Sequence, residues 1–160
     1  MIAFLDLQGF RGDDETFIPK EVAIISEDGY EFAHFLLKPP YLVQSLSSCR
    51  RSEVLYMENH FHGIAWQSGQ INFEDFQTEL IHLSKNFKTI YIKGDEKRKV
   101  LSFLEKSVIN LEDLGCPSLA KLKQKFVAVQ CLNHNIEPPV CAIENMIILS
   151  EWYKRQNEYG

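Results

Sequence analysis

Hydrophobic and polar positions alternate along this chain in short blocks with two different periods. Residues 2–7 (I-A-F-L-D-L) form an apolar run that leaves through Gln8-Gly9, as a strand does. Residues 11–16 (R-G-D-D-E-T) are a polar turn. Residues 19–26 (P-K-E-V-A-I-I-S) are apolar and β-branched, and Glu27-Asp28-Gly29 is a hairpin turn. Residues 30–38 form the return strand, which Pro39-Pro40 ends. The opening is therefore expected to be a three-stranded antiparallel meander. The period then lengthens. Residues 48–60 predict a helix with Ser48 as cap and Val54, Leu55 and Met57 inward. A loop with His62-Gly63-Ile64 and Trp66 follows. Asn72 is placed to cap an amphipathic helix whose Phe73, Phe76, Leu80 and Leu83 share one face. Residues 88–93 (K-T-I-Y-I-K) alternate around an apolar centre and predict a fourth strand. Gly94-Asp95 leads into a helix over 95–106, with Val100, Leu101, Phe103 and Leu104 inward. Residues 108–111 read as a short fifth strand. Leu119 and Leu122 mark a short helix, and residues 142–154 form the last helix.

Strand, strand, strand, helix, strand, helix, strand, helix is the element order of the ribonuclease-H-like fold, an α/β architecture with a mixed five-stranded sheet flanked by helices. Right-handed crossovers would set the fourth and fifth strands parallel to the first, with Asp6 in mid-sheet. The chain has 160 residues, 45% of them hydrophobic. A chain of that size buries roughly 70% of its unfolded surface, so residues 1–160 read as one domain needing no staple to fold. The net charge of −5 disfavours a dedicated duplex-DNA binder. No run of 18 apolar residues is present, so no membrane span is expected. The opening M-I-A-F-L-D-L-Q lacks a basic leader, so it reads as a strand rather than a signal peptide and points to an intracellular protein, nuclear or cytoplasmic. In that setting Cys49, Cys116, Cys131 and Cys141 stay reduced, and metal ligation is the more natural use of a thiol.

Chemistry concentrates in residues 130–146 (Q-C-L-N-H-N-I-E-P-P-V-C-A-I-E-N-M). Cys131 and His134 are three apart on a tight turn, and Cys141 follows beyond a loop stiffened by Pro138 and Pro139. Two soft donors plus a third in the first turn of a helix is zinc-ligand spacing, one donor short of a closed tetrahedral site. Cys116, in Gly115-Cys116-Pro117, is a weaker candidate for that fourth position. Cys49, His60 and His62 read as ordinary surface or loop residues. Basic residues gather at Lys85, Lys88, Lys93, Lys97, Arg98 and Lys99, and again at Lys121, Lys123 and Lys125. A solvated face is the usual fate of such a run. The local excess within an acidic chain nevertheless makes Lys93, Lys97, Arg98, Lys99, Lys121, Lys123 and Lys125 candidates for contact with RNA or single-stranded nucleic acid.

Several segments together resemble the DEDD-type 3′–5′ exonuclease superfamily. Asp6 to Gly9 (D-L-Q-G) is similar to its D-x-E motif on the first strand, residues 20–25 (K-E-V-A-I-I) to its second strand, and His62-Gly63-Ile64 with the following helix and strand to its middle section. Residues 141–145 (C-A-I-E-N) are similar to its third motif, H-x-A-x-x-D. Activity in that family rests on two divalent ions held by four carboxylates. Here Gln8 replaces the motif's Glu, Lys97 falls where an Asp is expected, Val140 replaces the His, and Asn145 replaces the last Asp. The Asp6 carboxylate is left as a relic. What remains is similar to the Maelstrom domain, a member of the same fold known from the PIWI-interacting RNA pathway, which carries a Glu-Cys-His-Cys zinc set instead. The resemblance implies Glu21 as the fourth ligand beside Cys131, His134 and Cys141, with Zn²⁺ as a structural ion. It further implies a catalytically degenerate domain that binds RNA or a protein partner in RNA silencing or a mobile or viral element. The alternative is an active single-strand nuclease or exonuclease using Mg²⁺ with unusual ligands, Asp6 among them.

Overall fold

A computed structural model describes residues 1–158 of the chain. Its strands are β1 (Ile2–Arg11), β2 (Phe17–Ser26), β3 (Phe32–Leu36), β4 (Thr89–Ile92) and β5 (Ser107–Asn110). They form one sheet in the order β3-β2-β1-β4-β5. β1 is antiparallel to β2, and β2 to β3, whereas β1–β4 and β4–β5 are parallel. This is the ribonuclease-H-like arrangement expected from the element order. The helices are α1 (Ser48–Tyr56), α2 (Phe76–Ser84), α3 (Asp95–Val100), α4 (Leu119–Leu122) and α5 (Ala142–Glu158). Among the described residues, no helix is long and apolar enough to cross a membrane.

β1 lies at the centre of the sheet and is buried on both faces, which is why its apolar run is nearly continuous. The two-residue period divides it cleanly. Ala3, Leu5 and Leu7 pack with Val22 and Ile24 of β2 against Phe76 and Leu80 of α2. Phe4 and Ala23 point to the other face, under Met146, Leu149 and Trp152 of α5. Asp6 and Gln8 share Phe4's parity on β1, and Glu21 shares Ala23's parity on β2. All three therefore lie on the α5 face of the sheet, where Gln8 is paired in register with Glu21. The register slips between Gln8 and Gly9, and a Cβ at Gly9 would sit 2.0 Å from the Ile18 carbonyl oxygen, so only glycine fits that bulge.

Several boundaries differ from those read in the sequence. The cap of α1 is Ser47, whose side chain accepts from the Arg50 N–H, and Leu55 faces solvent rather than the core. α1 continues as a wider π-helical turn, Met57–Phe61. Asn72 precedes a 3₁₀ turn, Phe73–Asp75, and its side chain makes no capping bond. The helix expected over 95–106 stops at Val100. Past it the chain closes in separate turns, Leu101 N–H to Arg98 O and Leu104 N–H to Leu101 O. Those turns drop Leu101 and Leu104 into the α2-side core. Lys106 then donates to the Ser84 and Phe87 carbonyls and fixes the entry to β5.

Candidate metal centre

Three distant segments meet at the edge of the α5 face. Glu21 arrives on β2, Cys131 and His134 on the loop before α5, and Cys141 immediately ahead of the first residue of α5. Their donor atoms all lie within 4.8 Å of one another and can hold a metal ion. Glu21 Oε2 is 3.2 Å from Cys131 Sγ, 3.2 Å from His134 Nε2 and 4.0 Å from Cys141 Sγ, and the two sulfurs are 3.8 Å apart. Glu21 and Cys141 are fully buried.

Each donor is aimed by backbone structure. Cys141 lies where the N-terminal turn of α5 begins, and its carbonyl accepts the Asn145 N–H. The Ala142 N–H donates to Glu21 Oε1 at 2.8 Å, so a free amide of the helix N-terminus anchors the carboxylate. His134 donates from Nδ1 to the His62 carbonyl, which leaves Nε2 facing the cluster. The loop bearing His134 rests on Gly63. Gly63 O accepts the Asn135 N–H at 2.7 Å, and with φ at +67° a Cβ there would stand 2.8 Å from Ile136. His62 lies beneath, fully buried, with Nε2–H donated to Gly9 O and Nδ1 accepting the Ile64 N–H.

The electrostatics are those of a crowded acid cluster. Burial pushes the Glu21 carboxyl up, but bonds from His134, His34 and the Ala142 N–H outweigh it and hold the group down at about 2. Burial lowers the His134 imidazole, and its contacts with Cys141 and Glu21 more than reverse that, raising it to about 10. The thiols divide one proton. Cys131 is driven up by its bond to Cys141 and by burial, and Cys141 is drawn down to about 4 by the same bond.

The remaining candidates lie elsewhere. Cys116 is buried beside Pro117 O, outside the cluster, and Cys49 is exposed. Asp6 is 1% exposed and enclosed by Lys97, Gln8 and Asn145. Lys97 Nζ is 3.0 Å from Oδ1, while the Gln8 and Asn145 amides donate to Oδ2 at 2.9 and 3.1 Å. Both carboxylate oxygens are therefore taken by protein donors. Asn145 Oδ1 is the one buried side-chain polar atom without a partner among the described residues. A cavity of about 490 Å³ lies beside Asn145, lined also by Phe10, Tyr56, Phe61, Leu119 and Val140. Most of the basic residues are paired: Lys93 with Glu112, Lys97 with Asp6, Arg98 and Lys99 with Asp95, and Lys123 with Glu144. Lys121 and Lys125 are exposed and pair with no carboxylate among the described residues. His34 was not a candidate from the sequence, yet its Nε2 lies 2.9 Å from Glu21 Oε2. The only signal was a histidine inside an otherwise apolar return strand.

No protein-family model matches this sequence, and no curated protein is significantly similar to it.

Proposed function

We propose that this chain is a catalytically silent, Maelstrom-like ribonuclease-H-type domain, tied together by a structural zinc ion and serving as a binding module for single-stranded RNA. The observation that carries the reading is the four-donor cluster. A tetrahedral zinc with Zn–S near 2.3 Å and Zn–N or Zn–O near 2.0 Å has edges of about 3.8 Å for S–S, about 3.5 Å for S–O and about 3.3 Å for N–O. The separations here are 3.8 Å for S–S, 3.2 and 4.0 Å for S–O, and 3.2 Å for N–O. Glu21, Cys131, His134 and Cys141 would hold the ion, and all four positions are filled by protein, which suits a structural rather than a hydrolytic site. Bound there, zinc supplies a fixed positive charge that joins β2 to the start of α5.

Catalytic silence is supported by the enclosure of Asp6. A lysine and two amides supply donors where a two-ion nuclease needs carboxylates. An RNA ligand is supported by the cavity beside it. Tyr56 and Phe61 are exposed aromatic rings at its rim, where bases could stack. A second reading, a protein-interaction module, is favoured by the paired lysines and by nearly bare Val127, Val129 and Leu132 next to the metal loop. Filter binding of single-stranded RNA at two salt concentrations separates the two, because phosphate contacts weaken steeply with salt. Salt-sensitive binding that Tyr56→Ala weakens supports RNA. Binding to no RNA at low salt refutes it. Mg²⁺-dependent cleavage that Asp6→Ala abolishes, with the fold intact, would establish the nuclease alternative instead.

A further inference from the structure

We propose that His34 is a positioning residue of the metal centre, one that orients the Glu21 carboxylate from outside the coordination shell; this rests on the metal reading above. Glu21 and His34 lie on adjacent antiparallel strands. Ala23 is paired in register with His34, and Glu21 with Leu36, so His34 is the diagonal neighbour of Glu21 on the same face. At that spacing a long side chain spans the gap, and His34 Nε2 reaches 2.9 Å from Oε2. Oε2 is the oxygen that also faces Cys131 and His134, whereas Oε1 is taken by the Ala142 N–H. Each carboxylate oxygen has two lone-pair directions. On Oε2, a bond donated from His34 uses one and leaves the other for the ion. On Oε1, the Ala142 amide discourages a bidentate swing. The carboxylate is thereby held single-toothed from both ends, with no rotation left to search. His34 differs from Glu21 and His134 in place as well. Its side chain is 13% exposed on a five-residue edge strand, against 0% for Glu21 and 1% for His134. It lies at the margin of the site, where Cys131 is also only half-buried.

Hydrogen-bond partners that orient a ligand typically change metal affinity 10- to 100-fold, far less than loss of a ligand. The test is zinc affinity by chelator competition, with the absorption spectrum of the Co²⁺-loaded protein as a record of the ligand set. Wild type is compared with His34→Ala, His34→Gln and Cys131→Ala. The expected result is zinc binding weakened roughly 10- to 100-fold in His34→Ala, with the tetrahedral Co²⁺ spectrum and its thiolate band unchanged. His34→Gln, which keeps an N–H donor, recovers affinity to within about threefold of wild type. Equal affinity in His34→Ala and wild type overturns the assignment. So does a His34→Ala loss as deep as that of Cys131→Ala with an altered Co²⁺ spectrum, which would make His34 a ligand. Wild-type protein that takes up neither metal refutes the metal reading itself, and the role of His34 falls with it.

Discussion

Replacing Lys97 with methionine removes the cation that touches Asp6 while keeping most of the side chain's volume. Asp6 is 1% exposed and Lys97 21%, so the pair is largely, not fully, withdrawn from water. Breaking a buried ion pair from one side costs about 3–5 kcal/mol, because the charge left behind has lost its partner. Asp6 would keep the Gln8 and Asn145 amides, and Lys97 is partly solvated, so the loss belongs at the low end, about 3 kcal/mol. In a domain of this size that lowers Tm by roughly 6–12 °C. Removing both charges should cost less than removing the lysine alone, since the Asp6→Asn/Lys97→Met pair leaves no bare charge. Urea unfolding of both single variants and the double variant closes the cycle. A coupling of about 2 kcal/mol or more is expected. Additive single effects, or a Lys97→Met variant within about 0.5 kcal/mol of wild type, would refute the idea that Asp6 is half of a structural ion pair.

Other consequences are equally specific. Zinc uptake at pH 7 should release about two protons per ion, one from the shared thiol of Cys131 and one from His134 Nε2. Calorimetry in buffers of different ionisation enthalpy counts them, and a value near zero contradicts the shared-proton picture. Burial holds His62 down at about 4, below its unfolded value of 6.5. The unfolded chain therefore binds the extra proton first, so this contribution is whole above pH 6.5 and is lost as pH falls toward 4, up to about 3 kcal/mol. Metal-free wild type should lose more urea stability between pH 7.5 and 4.5 than His62→Gln does; parallel losses refute the assignment. Gly63→Ala forces a Cβ against Ile136 at positive φ and displaces the loop that carries His134. It should cost about 1–3 kcal/mol and weaken zinc binding, and unchanged affinity would argue that the loop is not held there.

Much of this architecture was readable because periods are local. The apolar runs in residues 2–7 and 19–26, the alternation in 88–93 and the Glu27-Asp28-Gly29 turn place four of the five strands without reference to anything distant. Cys131, His134 and Cys141 were readable for the same reason, since their spacing is itself the signal. Glu21 was different. β2 is buried on both faces, so its period does not say which way the acid points; only the register against β1 and the helix above it does. The same holds for His34, a diagonal neighbour across a hairpin, and for the bond between Lys97 and Asp6, which are 91 positions apart. The helix over 95–106 was overextended because Leu101, Phe103 and Leu104 have helical spacing. Two single turns bury Leu101 and Leu104 and half-bury Phe103, and the period alone does not separate the cases.

Metal content is the most direct measurement. Protein purified without added metal or chelator should contain about one zinc per chain, and stripping it should lower Tm by on the order of ten degrees, because binding free energy at such a site is folding free energy. Protein that carries no zinc, takes up none when it is offered, and melts within a degree or two with and without chelator would contradict the account.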